Sequence, residues 1–273
     1  MLLNKKIKRS AIHNLNITDV EETGEGLIVP LDILTFADIS PYQQVIATKI
    51  EGDNYKNRIV TFVLPGENKE AIVAKGSLSK FFEIGEKICL ITYTIMDNTL
   101  FNLFCTNKIP LFDLGYNPKK NNNSVSNAVL DLEFYSKKDQ DVKINFPYSH
   151  KIRKKLPRYF LYSLISNLTV TDVKSDCLQG SAEIPIYLIN ESGMSKYQEV
   201  YVYNQSSGGA SVQTYLVSTP PGVVMMAGAM SKFAKKNDIV AAASYILKST
   251  DKYIPNVLII KKNELFTKDL KNL

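Results

Sequence analysis

With 273 residues, 45% hydrophobic and 22% charged, the chain has an ordinary globular composition and a length that suits two domains better than one. Three cysteines without paired spacing (Cys89, Cys105, Cys177) argue against a disulfide framework, and no run reaches the roughly 18 apolar residues of a membrane helix. The net charge of +6 gathers at Lys5 to Arg9, Lys119-Lys120 and Lys151 to Lys155 without interleaved aromatics, which speaks for a solvated surface and against a nucleic-acid face.

The basic start MLLNKKIKRS lacks the apolar stretch of a secretory signal, so a cytoplasmic protein is expected. Next, IHNLNITDV (12–20) and EGLIVP (25–30) predict short strands, with a short helix over Pro30–Phe36. Runs such as VIATKI, IVTFVL and ICLITYTI are rich in Val, Ile, Thr and Phe, as half-buried strands should be. Gly52-Asp53-Asn54 and Pro65-Gly66-Glu67-Asn68 break them, and a second short helix is expected over Ser77–Phe82. Asn107 to Arg158 reads as linker and decoration, with candidate strands at Ala128–Phe134 and Val142–Phe146.

The same order then begins again. Six blocks recur 152–155 residues downstream: IHNLNITDV as ISNLTVTDV (165–173), EGLIVP as GSAEIP (180–185), and ISPYQQV (39–45) as MSKYQEV (194–200). VTFVL (60–64) returns as QTYLV (213–217), KGSLSKF (75–81) as AGAMSKF (227–233), and EKICLITYTI (86–95) as DIVAAASYIL (238–247). Chance matches would not keep their order, so a duplication is expected. Helices are expected at Ile186–Glu191 and Met230–Lys235, and turns at Ser206-Ser207-Gly208-Gly209 and Pro220-Pro221-Gly222. The fold expected is mainly all-β, two tandem barrel units with short helices. The first spans 1–107, the linker 108–158 and the second unit 159–273. His13 and His150 are the only histidines and no cluster has metal-ligand spacing, so no metal is expected. Met225, Met226 and Met230 read as core packing.

In the second unit, Gln179-Gly180-Ser181-Ala182, Thr214-Tyr215, Gly228-Ala229-Met230 and Pro255-Asn256-Val257 stand in a telling order. In order and spacing this set resembles the aspartate 1-decarboxylase family, small pyruvoyl-dependent enzymes that make β-alanine. The resemblance covers about 12–107 and 164–260. It implies a double-ψ β-barrel fold and a four-barrel assembly with active sites between barrels. For this chain that means a homodimer, a small amino-acid substrate, and room for a maturation factor. It also implies a pyruvoyl cofactor made from Ser181. The serine hydroxyl attacks the preceding carbonyl in an N→O acyl shift, β-elimination leaves dehydroalanine, and hydrolysis leaves pyruvoyl at a new N-terminus. Gly180 before it leaves the carbonyl uncrowded and can adopt strained dihedrals. The ketone then condenses with a substrate amine and acts as electron sink, as PLP does elsewhere. Gly180 and Ser181 are thus the expected processing pair, with Ser181 and Tyr215 catalytic, Tyr215 as proton donor. Thr214, Gly228, Ala229, Met230 and Arg58 are the expected substrate-binding residues.

The two units divide this set. The first has Glu25-Gly26 where the second has Gly180-Ser181, and Phe62 where the second has Tyr215, so it lacks both nucleophile and proton donor. The second has Ser211 at the position of the family's carboxylate-binding arginine, whereas the first has Arg58 there; serine cannot replace an arginine fork. The family's Asn-Gly-Ala-Ala is Ala227-Gly228-Ala229-Met230 in one and Lys75-Gly76-Ser77-Leu78 in the other; Lys75 is expected at the surface, or as a second anion partner. The family's tryptophan is Tyr203 and Thr48. Its early lysine motif aligns either with Ala11-Ile12-His13-Asn14 and Leu164-Ile165-Ser166-Asn167, or, with insertions, with Lys6 to Arg9 and Lys155 to Arg158. The expected function is a self-processing decarboxylase of aspartate or of another amino acid with an acidic or altered side chain, with Arg58 and Ser181 serving one site. The alternative is a lapsed scaffold or regulatory partner that only binds.

Overall fold

The computed structural model describes residues 4–50, 57–68, 71–97, 112–115, 156–177, 180–208, 211–261 and 264–268. The candidate strands at Ala128–Phe134 and Val142–Phe146, and Gln179, lie outside the described residues.

The protein is mostly β. The first half forms β1 (Lys5–Asn16), β2 (Asp19–Glu21), β3 (Gly26–Pro30), β4 (Gln44–Lys49), β5 (Arg58–Gly66), β6 (Val73–Lys75), β7 (Lys87–Met96) and β8 (Phe112–Gly115). The second forms β9 (Arg158–Thr169), β10 (Asp172–Lys174), β11 (Ser181–Pro185), β12 (Glu199–Asn204), β13 (Val212–Thr219), β14 (Met225–Ala227), β15 (Ile239–Lys248), β16 (Asn256–Lys261) and β17 (Glu264–Lys268). The first sheet runs β2-β6-β3-β5-β4-β7-β1-β8, the second β10-β14-β11-β13-β12-β15-β9-β16-β17. Element for element the orders coincide, with β17 added to the second.

Backbone details coincide too. Asn14 (φ 61°) and Asn167 (φ 62°) interrupt β1 and β9 at the same point, as do Tyr42 (φ 63°) and Tyr197 (φ 66°) before β4 and β12. The two asparagines mark the register of the early strand: Ala11 and Leu164 are its equivalent positions, and both are buried in the core.

Two of the four expected helices form as α-helices, with shifted ends. Leu31–Phe36 and Ile186–Ser192 follow prolines whose φ is fixed near the helical value. The expected helices at Ser77–Phe82 and Met230–Lys235 are instead single 3-10 segments, Gly76–Lys80 and Gly228–Lys232. They begin earlier because the chain turns at a glycine with φ 61° or 56°, and Ser79 and Ser231 donate back to that glycine's carbonyl at 2.7 Å.

The sheet of the second half divides two cores. Along β15, Val240 and Ala242 pack into the second unit's core while Ala241 and Ala243 pack into the first's. β9 does likewise, with Ile165 and Leu168 on one side and Leu161 and Leu164 on the other. Alternate side chains of a strand leave opposite faces, so a strand covered on both faces reads as a continuous apolar run. The small alanines let the first unit approach closely.

Polar contacts reinforce the junction. Asp38 accepts from Arg9 of β1 at 2.6 Å and from Arg158 of β9 at 2.7 Å, both guanidinium groups being buried. Leu161 donates its backbone N–H to Tyr42. Among the described residues, no helix is long and apolar enough to cross a membrane, and no group of His, Cys, Asp and Glu could hold a metal ion.

Candidate active site

Strands β11 and β13 run parallel with Ala182 opposite Leu216, both in the second unit's core. Strand alternation therefore sends Ser181 and Tyr215 together to the other face, and brings Thr214 beside Gly180. The second placement is visible directly: the Thr214 hydroxyl donates to the Gly180 carbonyl at 2.7 Å. Ser181 itself is 5% exposed and pairs with Ala227 of β14. Its hydroxyl donates to the Glu183 carboxylate at 3.3 Å, two residues along the same strand face.

Beside Gly180 lies a cleft of about 440 Å³ lined by Gly180, Gln213, Thr214, Ala229, Met230 and Lys232, with Val212 and Phe233 as apolar walls. Gly228, at φ 56°, turns the chain so that Ala229 meets Gly180. A Cβ at position 180 would lie 3.1 Å from the Ala229 Cβ. That close approach favours glycine at 180. Met230 and Met226 are buried in the core and Met225 partly so.

The equivalent place in the first unit is closed. Gly26 has φ 110°, and a Cβ there would lie 2.7 Å from the Phe62 ring. Glu25, in the position of Gly180, is completely buried. It accepts from the Ser77 hydroxyl at 2.6 Å, the Ser77 N–H at 3.2 Å and Gln205 Nε2 of the second unit at 3.3 Å. Burial pushes its carboxyl up to about 7, against the opposing pull of the Ser77 and Gln205 hydrogen bonds.

The remaining expected residues are dispersed. Arg58 is exposed at the start of β5, opposite Thr48, and is not among the residues lining the cleft. Ser211, in the aligned arginine position, joins the units: its hydroxyl donates to the Val60 carbonyl at 3.1 Å and accepts from the Val60 N–H at 3.2 Å. Lys75 is nearly buried and paired with Glu21 at 3.0 Å, neither at the surface nor at the cleft. Tyr203 is buried and shares a 2.7 Å hydrogen bond with Tyr245; burial pushes both hydroxyls well above their ordinary range. Arg9 and Arg158, the basic ends of the insertion-requiring motif alignment, are bound to Asp38. Four contributors went unanticipated: Gln213 and Lys232 at the cleft, Glu183 at the serine, and Gln205 at Glu25. A count of alternate positions from Ser181 would have found Glu183. Nothing in the linear sequence marks Gln205.

A profile described as aspartate decarboxylase matches the chain twice, over residues 3–110 and 156–266. Among similar proteins, the aspartate 1-decarboxylase of Campylobacter jejuni (serotype O:2) is 32% identical over 112 residues, 40% of this chain and 87% of that protein. The aspartate 1-decarboxylase of Vesicomyosocius okutanii is 25% identical over 117 residues, 41% of this chain and 91% of that protein. That of Kosmotoga olearia is 29% identical over 94 residues, covering 34% and 79%. With most of its length matched, in the two stretches that build the two sheets, this chain belongs to the aspartate decarboxylase family.

Proposed function

We propose that the chain is a self-processing, pyruvoyl-dependent amino-acid α-decarboxylase that cuts itself between Gly180 and Ser181. The observation that carries this is the 2.7 Å hydrogen bond from Thr214 to the Gly180 carbonyl. When the Ser181 oxygen adds to the Gly180 carbonyl carbon, negative charge develops on the carbonyl oxygen, and a preset donor stabilises it there. Collapse breaks the C–N bond and leaves Gly180 as an ester on Ser181. Elimination then releases the Gly180 carboxylate and leaves dehydroalanine, and water converts that residue to pyruvoyl with loss of ammonia. The residues fit such a group: a small, uncrowded Gly180 and a serine held beside it on a paired strand. Once formed, pyruvoyl supplies the electron sink for loss of CO₂. Tyr215 shares the face of Ser181 by the β11–β13 register and is the proton donor we assign.

The named relatives support aspartate, or a similar acidic amino acid, as substrate. Its side-chain carboxylate needs a cation, and Arg58 is the aligned candidate. Support comes from the junction: Val60, two residues along β5 from Arg58, is tied to Ser211, two residues before the cleft residue Gln213. Lys232 at the cleft is the second candidate. The coinciding strand orders support a tandem duplication, with the first unit reaching past the expected end at 107 to β8 and the second beginning at Arg158 of β9, and the shared core supports the two units working as one body. The assembly we assign is a homodimer of four barrels.

Intact-mass measurement after prolonged incubation, with candidate maturation factors present, tests the proposal. Expected are a chain of residues 1–180 and a pyruvoyl-started chain of residues 181–273, with Ser181→Ala abolishing both. A chain that stays whole sinks the enzyme and favours the binding scaffold, which the alignment that sets the family's lysine at the buried Ala11 and Leu164 also supports. On the processed enzyme, Arg58→Ala is expected to leave cleavage intact and lower kcat/KM by roughly 10²-fold. Normal turnover by that variant, with loss in Lys232→Ala, would reassign the carboxylate to Lys232.

A further inference from the structure

We infer that Glu183 is the base for the self-processing step, taking the proton of Ser181 as its oxygen attacks Gly180. The inference rests on the self-processing proposed above. Ser181 and Glu183 are one strand period apart on β11, so both side chains leave the same face, and the hydroxyl donates to the carboxylate at 3.3 Å. A serine hydroxyl is a weak nucleophile until a base within hydrogen-bond reach removes its proton. Thr214 is already committed to the opposite end of the reaction, donating to the carbonyl that is attacked. The two contacts divide the chemistry, one donor on the developing oxyanion and one acceptor on the nucleophile.

The first unit supplies the contrast. Gly26 pairs with Lys75 as Ser181 pairs with Ala227, and Ile28 pairs with Val73 as Glu183 pairs with Met225. Where the hydroxyl is missing, the carboxylate is missing as well, and an apolar residue fills the place.

The step balances. The Ser181 Oγ–H proton passes to Glu183, Oγ bonds to the Gly180 carbonyl carbon, and the bond from that carbon to the Ser181 nitrogen breaks. The proton then moves from Glu183 to the departing nitrogen, leaving an ester, a free amine and an ionised Glu183. No outside reagent enters.

The test is the self-cleavage time course of the full-length chain, followed by mass spectrometry with and without hydroxylamine, which cuts the ester. Wild type is compared with Glu183→Gln, nearly isosteric, and Glu183→Asp, which keeps the acid, all checked for an unchanged melting curve. Expected is a Glu183→Gln rate roughly 10²-fold lower under both conditions, since ester formation itself is slowed, with Glu183→Asp recovering much of it. Glu183→Gln cutting at the wild-type rate overturns the assignment and leaves self-processing standing. A deficit that hydroxylamine erases overturns it too, because Glu183 would then act in the elimination. A wild-type chain that never cuts, hydroxylamine included, overturns self-processing and this assignment together.

Discussion

Glu25 shows how one substitution changes the task of a position. Where the proposed processing needs Gly180 to leave its carbonyl open to attack, Glu25 places a carboxyl group in the protein interior, held by Ser77 and by Gln205 across the junction. Desolvation disfavours its charged form, raising the carboxyl from an ordinary 4.5 to about 7. An acid raised in this way binds its proton more tightly folded than unfolded. Its contribution to stability is full below about pH 4.5 and falls as pH rises towards 7. At about 1.36 kcal/mol per unit, the loss is about 3 kcal/mol across that window. Urea denaturation of wild type against Glu25→Gln should show it: the difference between the two ought to shift in favour of the variant by about that amount between pH 4.5 and 7. A difference that stays flat with pH would mean that Glu25 keeps an ordinary affinity for its proton.

At the scale of the strand, the paired elements β3–β5 and β11–β13 share one register and differ in what fills it. In the first, Leu27 lies opposite Val63 and the ring of Phe62 covers Gly26. In the second, Ala182 lies opposite Leu216, and Ser181 and Tyr215 take the equivalent places. Restoring the serine alone should therefore not restore chemistry. Gly26→Ser would put a Cβ 2.7 Å from an aromatic carbon on a residue with φ 110°, a conformation that L side chains rarely adopt. The expected outcome is a protein destabilised by about 1–3 kcal/mol in urea, with no fragment beginning at position 26 by mass spectrometry. Any such fragment would show that the first unit's site can open.

Across the whole molecule, the two units behave as parts of one interior. Strands β9 and β15 send alternate residues into both cores, so neither half can separate without exposing the other's apolar surface. The polar counterpart is Asp38, which holds one buried arginine from each half, Arg158 also reaching Asp251 at 3.0 Å. Removing the acid from a buried pair leaves positive charge poorly solvated, at a cost of about 3–5 kcal/mol. Asp38→Ala should lower stability by about that much in urea. A loss below 1 kcal/mol would show that water or other acceptors take over both guanidinium groups.

Much of this was legible in the linear sequence. The six ordered blocks carry most of both strand sets, because apolar periodicity and turn residues are local signals, but β8 lies in the stretch read as linker and β16 and β17 lie beyond the last block. The presence of Ser181 and its absence at Gly26 follow from residue identity alone, as does the exchange of Tyr215 for Phe62. The helix ends were legible only roughly, since Gly76 and Gly228 start their turns through a backbone conformation that the sequence permits but does not impose. The sequence had no means of showing that Thr214 reaches Gly180 or that Phe62 seals Gly26, because both depend on the parallel register between strands more than 30 residues apart in the chain. The fates of Ser211, Lys75, Arg9 and Arg158 were likewise decided in three dimensions. Each is a polar group whose partner, Val60, Glu21 or Asp38, comes from another strand or loop, and a buried charge or hydroxyl takes the partner that packing brings within reach.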